Sequence, residues 1–195
     1  MSKRRRNSEP KPPKRKTVNV KLAERKNAGK VTEPYRIMED LIAKHHKHLA
    51  DAKIAIAWRS GWKPDADGRL RIGQARKGSD LDRSLHGYDF VILLNREAWK
   101  EGGLSEDQKV AVVDHALCHC QVSMDANGEP KTDDLGRTVY RLRKHDIEEF
   151  TEVVARYGCY TGQLEQFAVQ ALDRKRRPLL DQTEQLEPAG AGQAH

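Results

Sequence analysis

Residues 114–119 read Asp114-His115-Ala116-Leu117-Cys118-His119. The two histidines are four positions apart, and on a helix that spacing puts both imidazoles on one face. Imidazoles paired in this way are how His-x-x-x-His helices grip a transition metal. The run before them, Val110-Ala111-Val112-Val113, is apolar, so the helix that carries them is expected to be largely buried. Ser105 and Gln108 have the spacing of a capping box, and the helix is predicted to run from there to about Val122. Spacing alone leaves a second possibility open, a pair of surface or core-edge histidines without a metal.

On the N-terminal side, Tyr88-Asp89-Phe90-Val91-Ile92-Leu93-Leu94 is the strongest strand signal in the chain, closed by Asn95. Ile54-Ala55-Ile56-Ala57-Trp58 reads as a second strand and Leu70 to Ala75 as a third, with residues 76–87 as a polar loop. Tyr35, Met38, Leu41 and Ile42 recur at helical spacing and predict a first helix. On the C-terminal side, Asn127-Gly128 and Leu135-Gly136 mark a loop or small hairpin, and Val139 to Leu142 a short strand. A helix is predicted from about Lys144 to the cap glycine Gly158, and a last one over Gln163 to Arg176. Helix, strands and then helices imply an α+β domain, with a sheet of about three to four strands packed on helices. Its expected limits are residues 31–178, flanked by disordered tails at 1–30 and 179–195.

Charge is unevenly spread. The chain of 195 residues has a net charge of +7, yet residues 1–30 hold twelve Lys/Arg against Glu9 and Glu24, a net +10. The remainder is therefore at −3, and the basicity belongs to the tail. Lys3, Arg4, Arg5, Arg6, Lys14, Arg15 and Lys16 are candidate phosphate contacts for DNA or RNA; a solvated extension that keeps the protein soluble is the other reading. Three cysteines, two of them (Cys118 and Cys120) in one expected helix, argue against a disulfide framework. With no long apolar run and no secretory leader, they imply an intracellular, cytoplasmic protein without membrane contact.

His145 opens the amphipathic segment His145-Asp146-Ile147-Glu148-Glu149-Phe150 and can complete a three-histidine set. Together with the Tyr88–Asn95 strand and Val113-Asp114-His115-x-Leu117-Cys118-His119-Cys120, this segment resembles the phage metallopeptidase family, itself similar to SprT-like zinc proteases of the zincin type. The resemblance spans roughly residues 32–160. It implies a Zn2+ site with His115, His119 and His145 as ligands and a polypeptide substrate or protein partner, in a phage protein working in the bacterial host cytoplasm. In such proteins the residue after the first histidine is glutamate, the general base. Here it is Ala116, which moves no proton, and loss of general acid–base assistance lowers rates by ~10²–10⁴-fold.

Three explanations of Ala116 follow: an engineered inactivation, a natural pseudoenzyme, or a base supplied by Asp114, Glu148 or Glu149. Asp146, Glu148 and Glu149 are also candidates for a further ligand or for orienting an imidazole. The strand at 88–94 is expected to hold an extended substrate by β-augmentation. Cys118 and Cys120 are expected to be small buried side chains, and His45, His46 and His48 an exposed face. Trp58, Trp62 and Trp99 are expected in the core or a cleft wall. The alternative to a peptidase is a non-catalytic, zinc-containing accessory protein that binds nucleic acid or protein.

Overall fold

The structure is a computed structural model and describes residues 19–176. The chain divides into two compact units, one through Arg143 and one from Lys144 onward. The first unit contains a four-stranded sheet in the order β1-β4-β6-β5, formed by β1 (Asn19–Leu22), β4 (Ile54–Ser60), β6 (Phe90–Asn95) and β5 (Gly73–Lys77). β4 and β6 run parallel, with Ile56 opposite Ile92, and the two outer pairings are antiparallel. The central strands are continuous apolar runs because both of their faces are covered: Ala55 and Ile56 are each fully buried although they point to opposite sides. This is an α+β fold, as the order of elements implied.

Helices α1 (Glu33–Lys44) and α4 (Glu106–His119) pack against each other. Ile37, Met38 and Leu41 of α1 and Val113, Ala116 and Leu117 of α4 join Ile54, Ile56, Phe90, Ile92 and Leu94 in one core. Burying a Leu or Ile side chain stabilises by about 1.5–3 kcal/mol. That outweighs the weak intrinsic preference of the valine-rich turn 110–113 for helix, so packing dictates α4.

The structure departs from the sequence reading in several places. Residues 19–30, expected within a disordered tail, form β1 on the sheet edge and, with Val31, a small hairpin of β2 (Lys26–Asn27) and β3 (Lys30–Val31). Backbone pairing with β4 supplies what the polar sequence lacks, with Val20 opposite Arg59 and Leu22 opposite Ala57. The third strand lies at 73–77 instead of 70–75. The expected loop at 76–87 contains helix α2 (Asp80–His86), started by a capping box between Ser79 and Asp82. A one-turn helix α3 (Arg96–Lys100) follows β6, capped by Asn95. The first unit ends with β7 (Cys120–Val122) and β8 (Tyr140–Leu142), an antiparallel pair.

In the second unit the predicted helix 144–158 is shorter, α5 at Thr151–Tyr157, and α6 spans Gly162–Arg176. Phe150 has extended backbone and caps α5, so the segment from His145 to Phe150 is not helical. Among the described residues no helix is long and apolar enough to cross a membrane.

Candidate metal centre

The start of α4 is fixed as its sequence dictates. Ser105 Oγ accepts from the Gln108 amide at 3.2 Å, and Gln108 Oε1 accepts from the Ser105 amide at 2.9 Å. Val113, Ala116, Leu117 and Cys120 then turn inward, and His115 and Cys118 turn outward, with His119 half-buried between the two faces. The helix stops at His119, short of the expected Val122, because Cys120 has extended backbone and begins β7.

His115 and His119 are brought together with their Nε2 atoms 3.3 Å apart and their rings at 82°. Two nitrogens each about 2.0–2.1 Å from a tetrahedral zinc ion are separated by about 3.3–3.4 Å. The observed spacing therefore suits one ion without rearrangement of the helix. His119 Nδ1 donates to the backbone carbonyl of Arg143 at 2.7 Å. With the proton held on Nδ1, the lone pair of His119 is on Nε2, the atom directed toward His115. Arg143 is placed there by the β7–β8 pairing, and its own amide donates to the His119 carbonyl at 2.8 Å. Donor type, spacing and the carbonyl behind the ring all fit a divalent transition metal such as zinc.

Beside His115 lies a groove of about 420 Å³ lined by Ile72, Gly73, Leu104, Gln108, Ala111 and Val112. It exists because β5 begins close against α4: a Cβ on Gly73 would sit 2.9 Å from Val112 Cγ1. The strand expected to bind substrate, β6, is interior to the sheet and hydrogen-bonded on both sides. Backbone addition to it is impossible. The edge strand next to α4 is β5.

The other sequence candidates are distributed as follows. Ala116 is 1% exposed and belongs to the hydrophobic core. His145 is in the second unit, with Nδ1 3.9 Å from the Glu148 carboxylate, and Asp146 beside it is exposed. Glu149 accepts from the Phe150 amide and from the Tyr160 hydroxyl. The Tyr160 bond, followed by that from the amide, holds the Glu149 carboxyl below its ordinary range. Lys3, Arg4, Arg5, Arg6, Lys14, Arg15 and Lys16 lie outside the described residues.

Trp99 is in the core, edge-to-face with Trp58. The cysteines divide. Cys120 is fully buried, and burial pushes its thiol up to about 12, so it is no source of thiolate. Cys118 is exposed, against expectation, because α4 turns it away from the core face that Cys120 occupies.

His46, expected on an exposed face, is buried, 6% exposed, and its Nε2 lies 2.6 Å from Asp114 Oδ1. The cause is the end of α1: the His46 amide bonds back to the Leu41 and Ile42 carbonyls and folds the ring under the helix toward α4. The spacing of Asp114 and Cys118, four residues and one helical face, was the available signal for this cluster.

The family model "Putative phage metallopeptidase" matches residues 28–172, well over half of the chain. No curated protein and no solved structure matches it.

Proposed function

The chain belongs to the phage metallopeptidase family, and on that premise we propose that His115, His119 and His145 hold a Zn2+ ion in a peptidase-type site that lacks its general base. The observation that carries this reading is the 3.3 Å approach of the two Nε2 atoms, with the Arg143 carbonyl behind His119. Support for His145 comes from connectivity. It follows Arg143 by two residues, a span of at most about 7 Å of extended chain, and Arg143 is itself bonded to His119. Its position in the sequence, with Phe150 five residues on, is also similar to that of the third histidine in SprT-like proteins.

When bound, zinc polarises a scissile carbonyl and makes water more acidic. The chain's own residues contribute the rest. His119 is kept in one tautomer by Arg143, and the groove beside His115 accepts an apolar side chain of an extended polypeptide running along the β5 edge. A proton must be taken from the attacking water and handed to the leaving amine. Ala116 does neither, and Glu149 is engaged with Tyr160. Peptide hydrolysis by this chain is therefore expected to be slower by ~10²–10⁴-fold than with a base in place. Ala116 also favours a second reading, a zinc protein that binds polypeptides without cutting them.

The test is elemental analysis for zinc together with cleavage of an unstructured protein by the chain and its Ala116→Glu variant. Zinc in both, with cutting by the glutamate form alone, supports a peptidase site without its base. Zinc in both and cutting by neither favours the binding protein. Metal content unaffected by the His115→Ala/His119→Ala double substitution would overturn the site.

A further inference from the structure

We propose a second metal site on the adjoining face of α4, formed by His46, Asp114 and Cys118, for a divalent ion of zinc type. An imidazole nitrogen of His46, a carboxylate oxygen of Asp114 and Cys118 Sγ all lie within 4.8 Å of one another. Asp114 and Cys118 are a helical turn apart on α4, and His46 is delivered by the end of α1, so the set bridges two elements that already pack together. Imidazole, carboxylate and thiolate are all zinc ligands. About a tetrahedral ion such donors stand about 3.3–3.6 Å from one another. The donors also differ from those of the first centre, which has no thiolate.

The burial pattern suits a metal. His46 is 6% exposed, whereas Asp114 keeps 42% of its side chain in solvent and Cys118 is exposed. One ligand is thus anchored inside and two form an open rim, which gives an ion an entry path and leaves a position for water. His46 Nε2 and Asp114 Oδ1 are joined by a hydrogen bond of 2.6 Å. A bound ion would take the place of the proton between them, a neutral His46 would then carry its one proton on Nδ1, and the Cys118 thiol proton would pass to water. The site does not depend on the function proposed for His115 and His119.

Cobalt(II) titration of the full, reduced, metal-free chain tests it, because a thiolate-to-cobalt charge-transfer band in the near ultraviolet reports only a site that contains cysteine. The band is expected in the unmodified chain and in the His115→Ala/His119→Ala variant, and lost in Cys118→Ser. Absence of the band at saturating cobalt, or its survival in Cys118→Ser, overturns the site. A second measurement needs no substitution: Zn2+ is expected to slow alkylation of Cys118 at least tenfold relative to Cys159. Equal rates at both cysteines with and without zinc also overturn it. If the band is present while the double histidine variant retains its full metal content, the first centre fails and this one stands.

Discussion

His119 and Arg143 are joined twice: the His119 ring donates from Nδ1 to the Arg143 carbonyl, and the Arg143 amide donates to the His119 carbonyl. The orientation of a candidate ligand and the pairing of β7 with β8 are thus one structural fact. Arg143→Pro removes the amide donor and leaves the helix untouched. Without that bond the carbonyl at 143 is no longer held behind the ring, and zinc affinity is expected to fall about 10–100-fold, the usual effect of disturbing the partner that orients a ligating histidine. A competition titration with a chromophoric chelator measures it. Affinity unchanged in Arg143→Pro would mean that the imidazole does not need the strand.

Ala116→Glu is expected to be destabilising without metal. The new side chain starts in the layer of Val113 and Leu117, and a carboxylate held there without a partner costs several kcal/mol, or the group binds a proton instead. Zinc should restore part of the lost stability by drawing the side chain out toward the histidines. Thermal unfolding with and without Zn2+ checks this. Identical midpoints for the unmodified chain and the Ala116→Glu variant in chelator would show that position 116 opens to the site.

Gly73→Ala places a methyl group 2.9 Å from Val112 Cγ1. Val112 is stiff at χ1, so either β5 or α4 must shift, at about 1–3 kcal/mol. The same methyl group narrows the groove beside His115. Val112→Ala should recover most of the loss in a double-mutant cycle. Additive denaturation midpoints in that cycle would show that the two residues do not press on each other.

Arg83 ties α2 to the start of β6 and to the turn at Asp133. Its guanidinium lies 2.8 Å from Asp89, both side chains being about nine-tenths buried, and it donates to the Thr138 carbonyl. Asp89→Ala leaves that charge buried beside the weaker contact to Asp133 and also removes the acceptor of the Lys53 amide. A loss of about 3–5 kcal/mol in urea unfolding is expected. A loss below about 1 kcal/mol would indicate that solvent reaches the guanidinium.

The Tyr160 bond depresses the Glu149 carboxyl and raises the Tyr160 hydroxyl. A depressed folded-state pKa contributes stability above the ordinary glutamate range, and that contribution is lost as pH falls through the depressed value. The raised tyrosine behaves in the opposite sense. Its contribution is present below the ordinary tyrosine range and lost as pH rises through the raised value. Tyr160→Phe should return the Glu149 carboxyl toward its ordinary value in a carboxyl-carbon NMR titration. A midpoint unmoved by Tyr160→Phe would remove the hydrogen bond as the cause.

The apolar runs at 54–57 and 90–94, the Ser105 capping box and the His115–His119 spacing determined the sheet centre and the helix that carries the site. Each depends on periodicity or on contacts within a few residues, which sequence records directly. The family was legible too, from three short segments in order. Tertiary structure decided what depends on distant partners. Asn19–Leu22 has no strand signal of its own and becomes one because β4 offers an unpaired edge. β6 is closed to a substrate because β5 returns beside it, and no local pattern announces a neighbour. His46 is buried against Asp114, 68 residues away, and Arg143 stands behind His119 only because β7 and β8 pair across the loop between them. Helical geometry set two histidines on one face, and the packing of α1, β5 and β8 around α4 decided what each face of that helix meets.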